Sequence, residues 1–475
     1  MEEKLSLASE KSAKTVTVVG GGVAGMSAAC ALAEVGFCVH LVERRGYLGG
    51  RASSYLHPGV NEVIDNCQHV LFGCCTNLIG FYRRIGVADR IHWTSEMTMI
   101  EPGGRRSPLG PSWLPAPLHG LPKLMLANAF TLSDKMALVR AFRSLMRPIP
   151  HDSTENLGAW LVRNGQTKGA IERFWRLVIA SALNADLDSI ALPYAAKVIR
   201  ELFMNSAKAG SMGMSTVPLS ELYAGASEYL TKHDSSVLLN TNVESATWDE
   251  ETSQWLIATR TGSLQSEFLL FALPFEAMQK LLPNMPPAEG ADVLVRKIEH
   301  HQHWPICSVH LWFDREITEL DHAILLDGEV HWMYNKGRLQ PWRKLKGSYL
   351  ELVISASRAF AALSREQAIA LAVSELGEYF PAIKSAQLEK AALIKEMRAT
   401  FGVPPGIDEA RPLSRSPWPN CFLAGDWIAT GWPSTMESGA RSGHLAAEAV
   451  CHSAGEQRTI LDPDLKPRGL MRFIR

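Results

Sequence analysis

Several absences narrow this chain before any motif is read. No apolar run reaches the ~18 residues that a membrane-spanning helix requires, so no spanning segment is expected. Neither charge is in excess: 48 Lys and Arg stand against 49 Asp and Glu, a net charge of −1, which leaves no footprint for a nucleic-acid partner. The eight cysteines form no Cys-x-x-Cys pair, and Cys74 and Cys75 are neighbours; this argues for a reducing compartment without a disulfide framework. Residues 1–10 are polar and lack the apolar core of a signal peptide, so the expected location is cytoplasmic. No internal repeat or low-complexity tract stands out. What the chain does have is size. Its 475 residues, 46% hydrophobic, suffice for two domains or more.

The most informative stretch is Gly20-Gly21-Gly22-Val23-Ala24-Gly25. It follows an apolar run, 16–19, that reads as a buried strand, and precedes a helix-like run of small and apolar residues, 27–33. Gly20-x-Gly22-x-x-Gly25 between strand and helix suits a dinucleotide pyrophosphate. The first glycine permits a tight turn, the second lets phosphate approach the backbone, and the third lets the helix pack close to the sheet. The helix start at Val23 and Ala24 offers N–H groups. A second strand-like run, 38–42, ends in Glu43, at the offset usual for a carboxylate that accepts hydrogen bonds from a ribose. An acid there favours an unphosphorylated adenosine ribose. Then come Arg44-Arg45-Gly46-Tyr47-Leu48-Gly49-Gly50-Arg51.

That last segment resembles the N-terminal signature of the amine oxidase and phytoene desaturase superfamily of flavoproteins. The resemblance makes the dinucleotide FAD and adds Arg44, Gly50 and Arg51 to its contacts; a guanidinium fork suits pyrophosphate oxygens. Near the other end, a strand-like run reaching Gly425-Asp426 leads through Gly431 to Thr435-Met436-Glu437-Ser438-Gly439 and a helix. This resembles the second flavin motif of the same superfamily. It implies that Asp426 holds the ribityl or pyrophosphate portion, and that Thr435 and Met436 present backbone N–H groups to the ring, favouring the reduced anionic flavin. Val243 is implied to lie beside the adenine. The implied fold is α/β: a Rossmann-like FAD-binding domain with an inserted α+β substrate domain, the amine oxidase-like two-domain arrangement. The FAD-binding domain is expected in three segments, 14–100, 219–282 and 399–452. A largely helical insertion, 101–218, and a sheet-containing one, 283–398, form the substrate domain, and 453–475 is a basic amphipathic tail.

A narrower resemblance lies on the substrate side. Asp65-Asn66-Cys67-Gln68-His69 resembles the Asp-x-x-Gln-His segment of the hydroxysqualene dehydroxylases, squalene-associated flavoproteins of hopanoid synthesis. Residues 174–184 and 217–223 resemble two further segments, and the likeness runs over roughly 15–449. Cys67 departs from the glycine expected there. The resemblance implies a reduction in which hydroxysqualene loses its allylic hydroxyl as water and gains a hydride from reduced flavin, giving squalene. The departure needs an acid or a positioned donor. Asp65 and His69, four residues apart after a strand, and Glu437 beside the flavin motif are the catalytic candidates. No second Gly-x-Gly-x-x-Gly follows a strand, so an external electron donor is expected. The rivals are a carotenoid or squalene desaturase, running hydride transfer in the opposite direction; an amine oxidase, whose aromatic cage Trp427 or Trp432 would supply; and a lipid-handling protein of the same fold without flavin, which the intact second motif opposes.

Two clusters remain. His300-His301-Gln302-His303 has no ligand-like spacing with a carboxylate or cysteine beyond Glu299, so no metal is expected. Residues 121–150 interleave Lys123, Lys135, Arg140, Arg143 and Arg147 with leucine, methionine and phenylalanine against one acid, Asp134. The tail does the same with Lys466, Arg468, Arg472 and Arg475. Both fit basic amphipathic segments on an anionic bilayer, which with a long apolar isoprenoid substrate places the protein peripherally at the inner face of the membrane.

Overall fold

The computed structural model describes residues 13–147 and 149–474. The polar residues 1–10 and Arg475 lie outside the described residues. The run Thr15–Val19 is a strand buried on both faces, as parallel strands between helix layers are. It is the centre of a five-stranded parallel sheet in the order Ser236–Leu238, Cys38–Val42, Thr15–Val19, Phe268–Phe271, Cys421–Leu423. Three distant stretches of chain therefore build one sheet. The chain leaves the central strand toward one edge and returns on its other side at Phe268–Phe271. The carboxyl ends of those two strands thus frame the crevice where such sheets bind ligands.

The helix Val23–Glu34 buries every residue except Glu34, because it lies between the sheet and the helix Met436–Ser453. Small residues make that sandwich possible. A Cβ at Gly443 would sit 2.2 Å from the Ala24 carbonyl oxygen and 2.9 Å from the Ala28 nitrogen. The close crossing carries the second glycine-rich motif to the first.

The other unit is a seven-stranded mixed sheet in the order Leu388–Phe401, His303–Phe313, Tyr349–Ser355, Trp332–Asn335, His322–Leu325, Met97–Ile100, Arg106–Leu109. Helix Arg365–Tyr379, with a capping box at Ser364, closes one face over a core of Val309, Leu311, Leu352 and Leu376. Met97–Ile100 was expected within the first cofactor segment; it pairs with His322–Leu325 and Arg106–Leu109 in this second sheet. Residues 118–204 supply the helices, and two of their turns, Ile171–Arg176 and Arg200–Met204, are wound as π-helix. A three-stranded antiparallel sheet, Val243–Asp249, Gln254–Thr259 and Gly262–Ser266, is separate in its pairing and packs on the five-stranded sheet, where Ala246, Trp255 and Ile257 share a core with Val19 and Leu269. All eight cysteines are free.

Candidate active site

Gly20, Gly21 and Gly25 have no room for side chains, whereas a Cβ at Gly22 would meet only the Gly50 Cα, at 4.0 Å. A Cβ at Gly25 would lie 1.8 Å from the Gly20 carbonyl oxygen, and one at Gly50 would lie 3.1 Å from the Gly22 Cα. Gly49 donates its N–H to the Gly21 carbonyl at 2.8 Å, so the Gly49-Gly50-Arg51 turn is laid against the glycine loop. The first N–H groups of the helix Val23–Glu34 have no intrahelical acceptor and no carboxylate in the first turn to receive them. Glu43, at the end of the second strand, accepts from the Gly21 N–H at 2.7 Å and the Arg45 N–H at 2.8 Å. Thr241 donates its N–H to the Glu43 carbonyl, which brings the start of the strand at Val243 to the same corner. A cradle of bare backbone with a carboxylate at its far end fits a dinucleotide.

The second motif closes the site. Arg51 donates to Asp426 at 2.6 Å and to the Ala399 carbonyl at 2.9 Å; Ser434 also donates to Asp426. The Arg51 guanidinium beside it holds the buried Asp426 carboxyl below its usual range against the opposing effect of burial. Thr435 caps the helix Met436–Ser453 through the Ser438 N–H at 3.2 Å, so the free N–H groups of Thr435 and Met436 stand at the start of an 18-residue helix. Gly425 is at φ +143°, where a side chain would strike the Trp427 ring.

The three catalytic candidates separate. Asp65 is buried and accepts from Ser54 Oγ at 2.5 Å, the Leu219 N–H at 3.2 Å and Lys336 Nζ at 2.5 Å. The Lys336 cation and these donors hold it ionised against burial, so it binds a cation and starts a helix rather than giving a proton. Glu437 is buried, and burial pushes it up to about 7. Its partners are the Asn77 and Leu78 N–H groups, the Asn77 amide and the Arg441 guanidinium, so it caps the helix Thr76–Arg84. His69 is different. Its Nδ1 donates to the Cys67 carbonyl at 2.7 Å, and among the described residues Nε2 has no hydrogen-bond partner. Burial lowers its pKa from 6.5, leaving a neutral ring with an open lone pair. Asn66, three residues earlier, donates to the Arg51 carbonyl at 3.2 Å, which ties this loop to the flavin cradle.

Other expected residues find different neighbours. Arg44 is exposed; the half-buried Arg45 is the one that turns inward, donating to the Gly50 carbonyl at 2.8 Å. Trp427 is fully buried and spends its indole N–H on the Leu273 carbonyl. The Trp432 ring has Lys197 Nζ 4.7 Å and Arg441 Cζ 5.4 Å from its centre. Neither ring is placed to cage an ammonium. His300 and His301 bond through Nδ1 to carbonyls of the preceding helix turn, and no group of three or more metal-ligating side chains occurs among the described residues.

Three residues escaped the sequence. Arg411 reaches the carbonyls of Asp426, Ile428 and Trp432 at 2.5–2.9 Å and so shapes the loop of the second motif. Lys336 is buried against Asp65, Gln68 and Glu351. Ser434 completes the Asp426 shell. Arg411 and Lys336 belong to no local pattern, so no sequence signal marked them; Ser434 lies within the second motif, beside Thr435.

Residues 23–451 match the sequence profile of flavin containing amine oxidoreductases. The chain belongs to that family. It is an FAD-dependent oxidoreductase. The 15-cis-phytoene desaturase of Synechococcus elongatus is similar to it, 25% identical over 461 residues that cover 92% of this chain and 95% of the relative. The zeta-carotene desaturase of Synechocystis is 24% identical over 485 residues, 94% and 98% of the two chains. Among solved structures, putrescine oxidase bound to putrescine superposes with a TM-score of 0.72 at 15% identity, over 93% of this chain and 99% of its own. Cyclohexylamine oxidase from Brevibacterium oxydans superposes at 0.67 and 16%, over 94% and 100%. The two-domain fold expected from sequence is thus the fold of this family. No helix among the described residues is long and apolar enough to cross a membrane.

Proposed function

We propose that this family member reduces hydroxysqualene to squalene. The observation that carries the reading is the meeting of two segments that resemble hydroxysqualene dehydroxylases. Asp65 accepts the Leu219 N–H, so the loop 65–70 and the segment 217–223 form one joint at the flavin cradle, with His69 Nε2 open. The similarity to desaturases named for phytoene and zeta-carotene supports an isoprenoid substrate. The cations flanking Trp432 disfavour a protonated amine.

Bound FAD, when reduced, supplies the hydride. The chain must do the rest. The allylic C–O bond breaks, its oxygen leaves as water after taking one proton, and a C–H bond forms at the same carbon. His69 carries that proton on Nε2 when the ring is protonated, while Nδ1–H stays fixed on the Cys67 carbonyl. Arg51 and Asp426 would hold the cofactor beside the glycine turn. Asp65 and Lys336 keep the His69 loop in register without exchanging protons.

Desaturation is the second reading, and the neutral His69 ring favours it: an unprotonated Nε2 accepts a proton as hydride leaves the neighbouring carbon. Anaerobic incubation of the reduced holoenzyme with hydroxysqualene decides between them. Squalene supports dehydroxylation. No product there, with desaturated products from squalene or phytoene under the oxidised holoenzyme, overturns it in favour of the second.

A further inference from the structure

The chain exposes large apolar side chains where a water-soluble surface has few. Trp113 is 90% exposed, Leu126 78%, Leu132 74% and Phe473 70%, and Met136, Leu470 and Leu118 are also exposed. They come from four separate pieces of chain that the fold joins. The Ser112 N–H donates to the His119 carbonyl at 2.7 Å and closes the loop that carries Trp113 and Leu118. Lys135 Nζ donates to the Met125 carbonyl at 2.7 Å and fastens the helix Leu132–Leu145 to the end of Leu121–Leu126. The C-terminal turn Gly469–Phe473 lies on the same piece: Leu470 donates its N–H to the Ala116 carbonyl at 2.8 Å, and a Cβ at Gly469 would meet that oxygen at 2.5 Å.

The turn is a 3-10 helix, so residues three apart share a face. Met471 and Ile474 point into the core while Leu470 and Phe473 point out. On the helix Leu132–Leu145 the exposed stripe runs Leu132, Met136, Arg140, Arg143, and Arg147 follows just beyond its end. It changes from apolar to basic along its length. Arg140, Arg143, Arg147, Arg468 and Arg472 pair with no carboxylate among the described residues, and the one acid in this stretch, Asp134, is spent on Thr131 and Thr167. Apolar side chains flanked by unpaired guanidinium groups on the same helix and the same turn are complementary to acyl chains beneath anionic headgroups.

We propose that this composite face, the C-terminal turn docked on residues 113–118 together with the helices around Leu126 and Leu132, seats the protein on an anionic lipid surface. The apolar side chains enter the acyl boundary and the arginines meet lipid phosphates. The proposal is independent of which isoprenoid the site transforms.

The test is co-sedimentation of the full-length holoenzyme with phosphatidylglycerol-rich and pure phosphatidylcholine vesicles. Binding to the anionic vesicles alone is expected, weakened by salt and by about fivefold for each of Arg140→Gln and Arg143→Gln. The triple change Trp113→Ser, Leu126→Ser and Phe473→Ser, at exposed positions, should abolish pelleting while flavin absorbance and melting temperature stay at wild-type values. Failure to pellet with either vesicle, or pelleting that survives the triple change, overturns the proposal. A concentration-dependent dimer without vesicle binding, dissolved by the same triple change, overturns it in favour of a second copy of the chain.

Discussion

Glu351 is a fully buried carboxyl group. Neither carboxylate oxygen has a hydrogen-bond partner, and the nearest cation, Lys336 Nζ, is 3.6 Å away and already bonded to Asp65 at 2.5 Å. Burial pushes Glu351 from 4.5 up to about 7. The folded pKa is above the unfolded one, so the fold prefers the protonated acid. The stability it allows is fully present below pH 4.5 and is lost as pH rises through 7. A gap of about 2.5 pH units corresponds to about 3 kcal/mol above pH 7. Glu351→Gln keeps the shape, removes the charge and leaves Lys336 with Asp65. With an unfolding entropy of ~2 cal/mol/K per residue, a chain of this size changes melting temperature by about 1 °C per kcal/mol. The variant should therefore melt about 3 °C above wild type at pH 8 and level with it at pH 4.5, by differential scanning calorimetry at matched flavin occupancy. A lower melting temperature at pH 8, or the same shift at both pH values, would refute the reasoning.

Arg51→Met leaves Asp426 as a buried carboxylate without its cation; a cost on the order of 1–3 kcal/mol should weaken FAD retention about tenfold, measured as flavin remaining after gel filtration. Full flavin content would contradict that. Asn184, at φ 49°, joins the helical insertion to the sheet through the Trp304 carbonyl, Thr400 Oγ1 and the Ala356 N–H. Asn184→Ala should lower the melting temperature by about 1–3 °C without loss of flavin. The His69 pKa lies below 6.5, and the proposed dehydroxylation uses its protonated form, so single-turnover rates should fall as pH rises through that pKa. His69→Phe should flatten the profile; a wild-type rate that instead climbs with pH points to proton abstraction.

The parts of the site that a sequence can express locally were legible. Gly20, Gly22 and Gly25 are read from a steric need that spans six residues; backbone contacts make Gly20 and Gly25 necessary, while the space at Gly22 is open. The Gly425–Met436 motif was legible for the same reason. Partnerships were not. Arg51 was expected on phosphate, and its carboxylate partner lies 375 positions away. Asp65 read as an acid because Lys336, 271 positions on, sits in no motif. Glu437 read as catalytic from its place beside the flavin motif, yet it faces the start of a helix that begins at Thr76. Met97–Ile100 looked like a continuation of the first domain, since strand pattern says nothing of which sheet will accept it. Pattern exposes backbone requirements; long-range charge pairing is decided by topology.

The proposed function rests on hydride delivery to the carbon that bears the hydroxyl. The direct measurement is a single turnover in deuterium oxide, anaerobically, with reduced holoenzyme and hydroxysqualene, because the transferable hydrogen of reduced flavin exchanges with solvent. The expected product is squalene carrying one deuterium at the former carbinol carbon, with the cofactor oxidised in step. Squalene without deuterium at that carbon, or hydroxysqualene recovered intact, contradicts it.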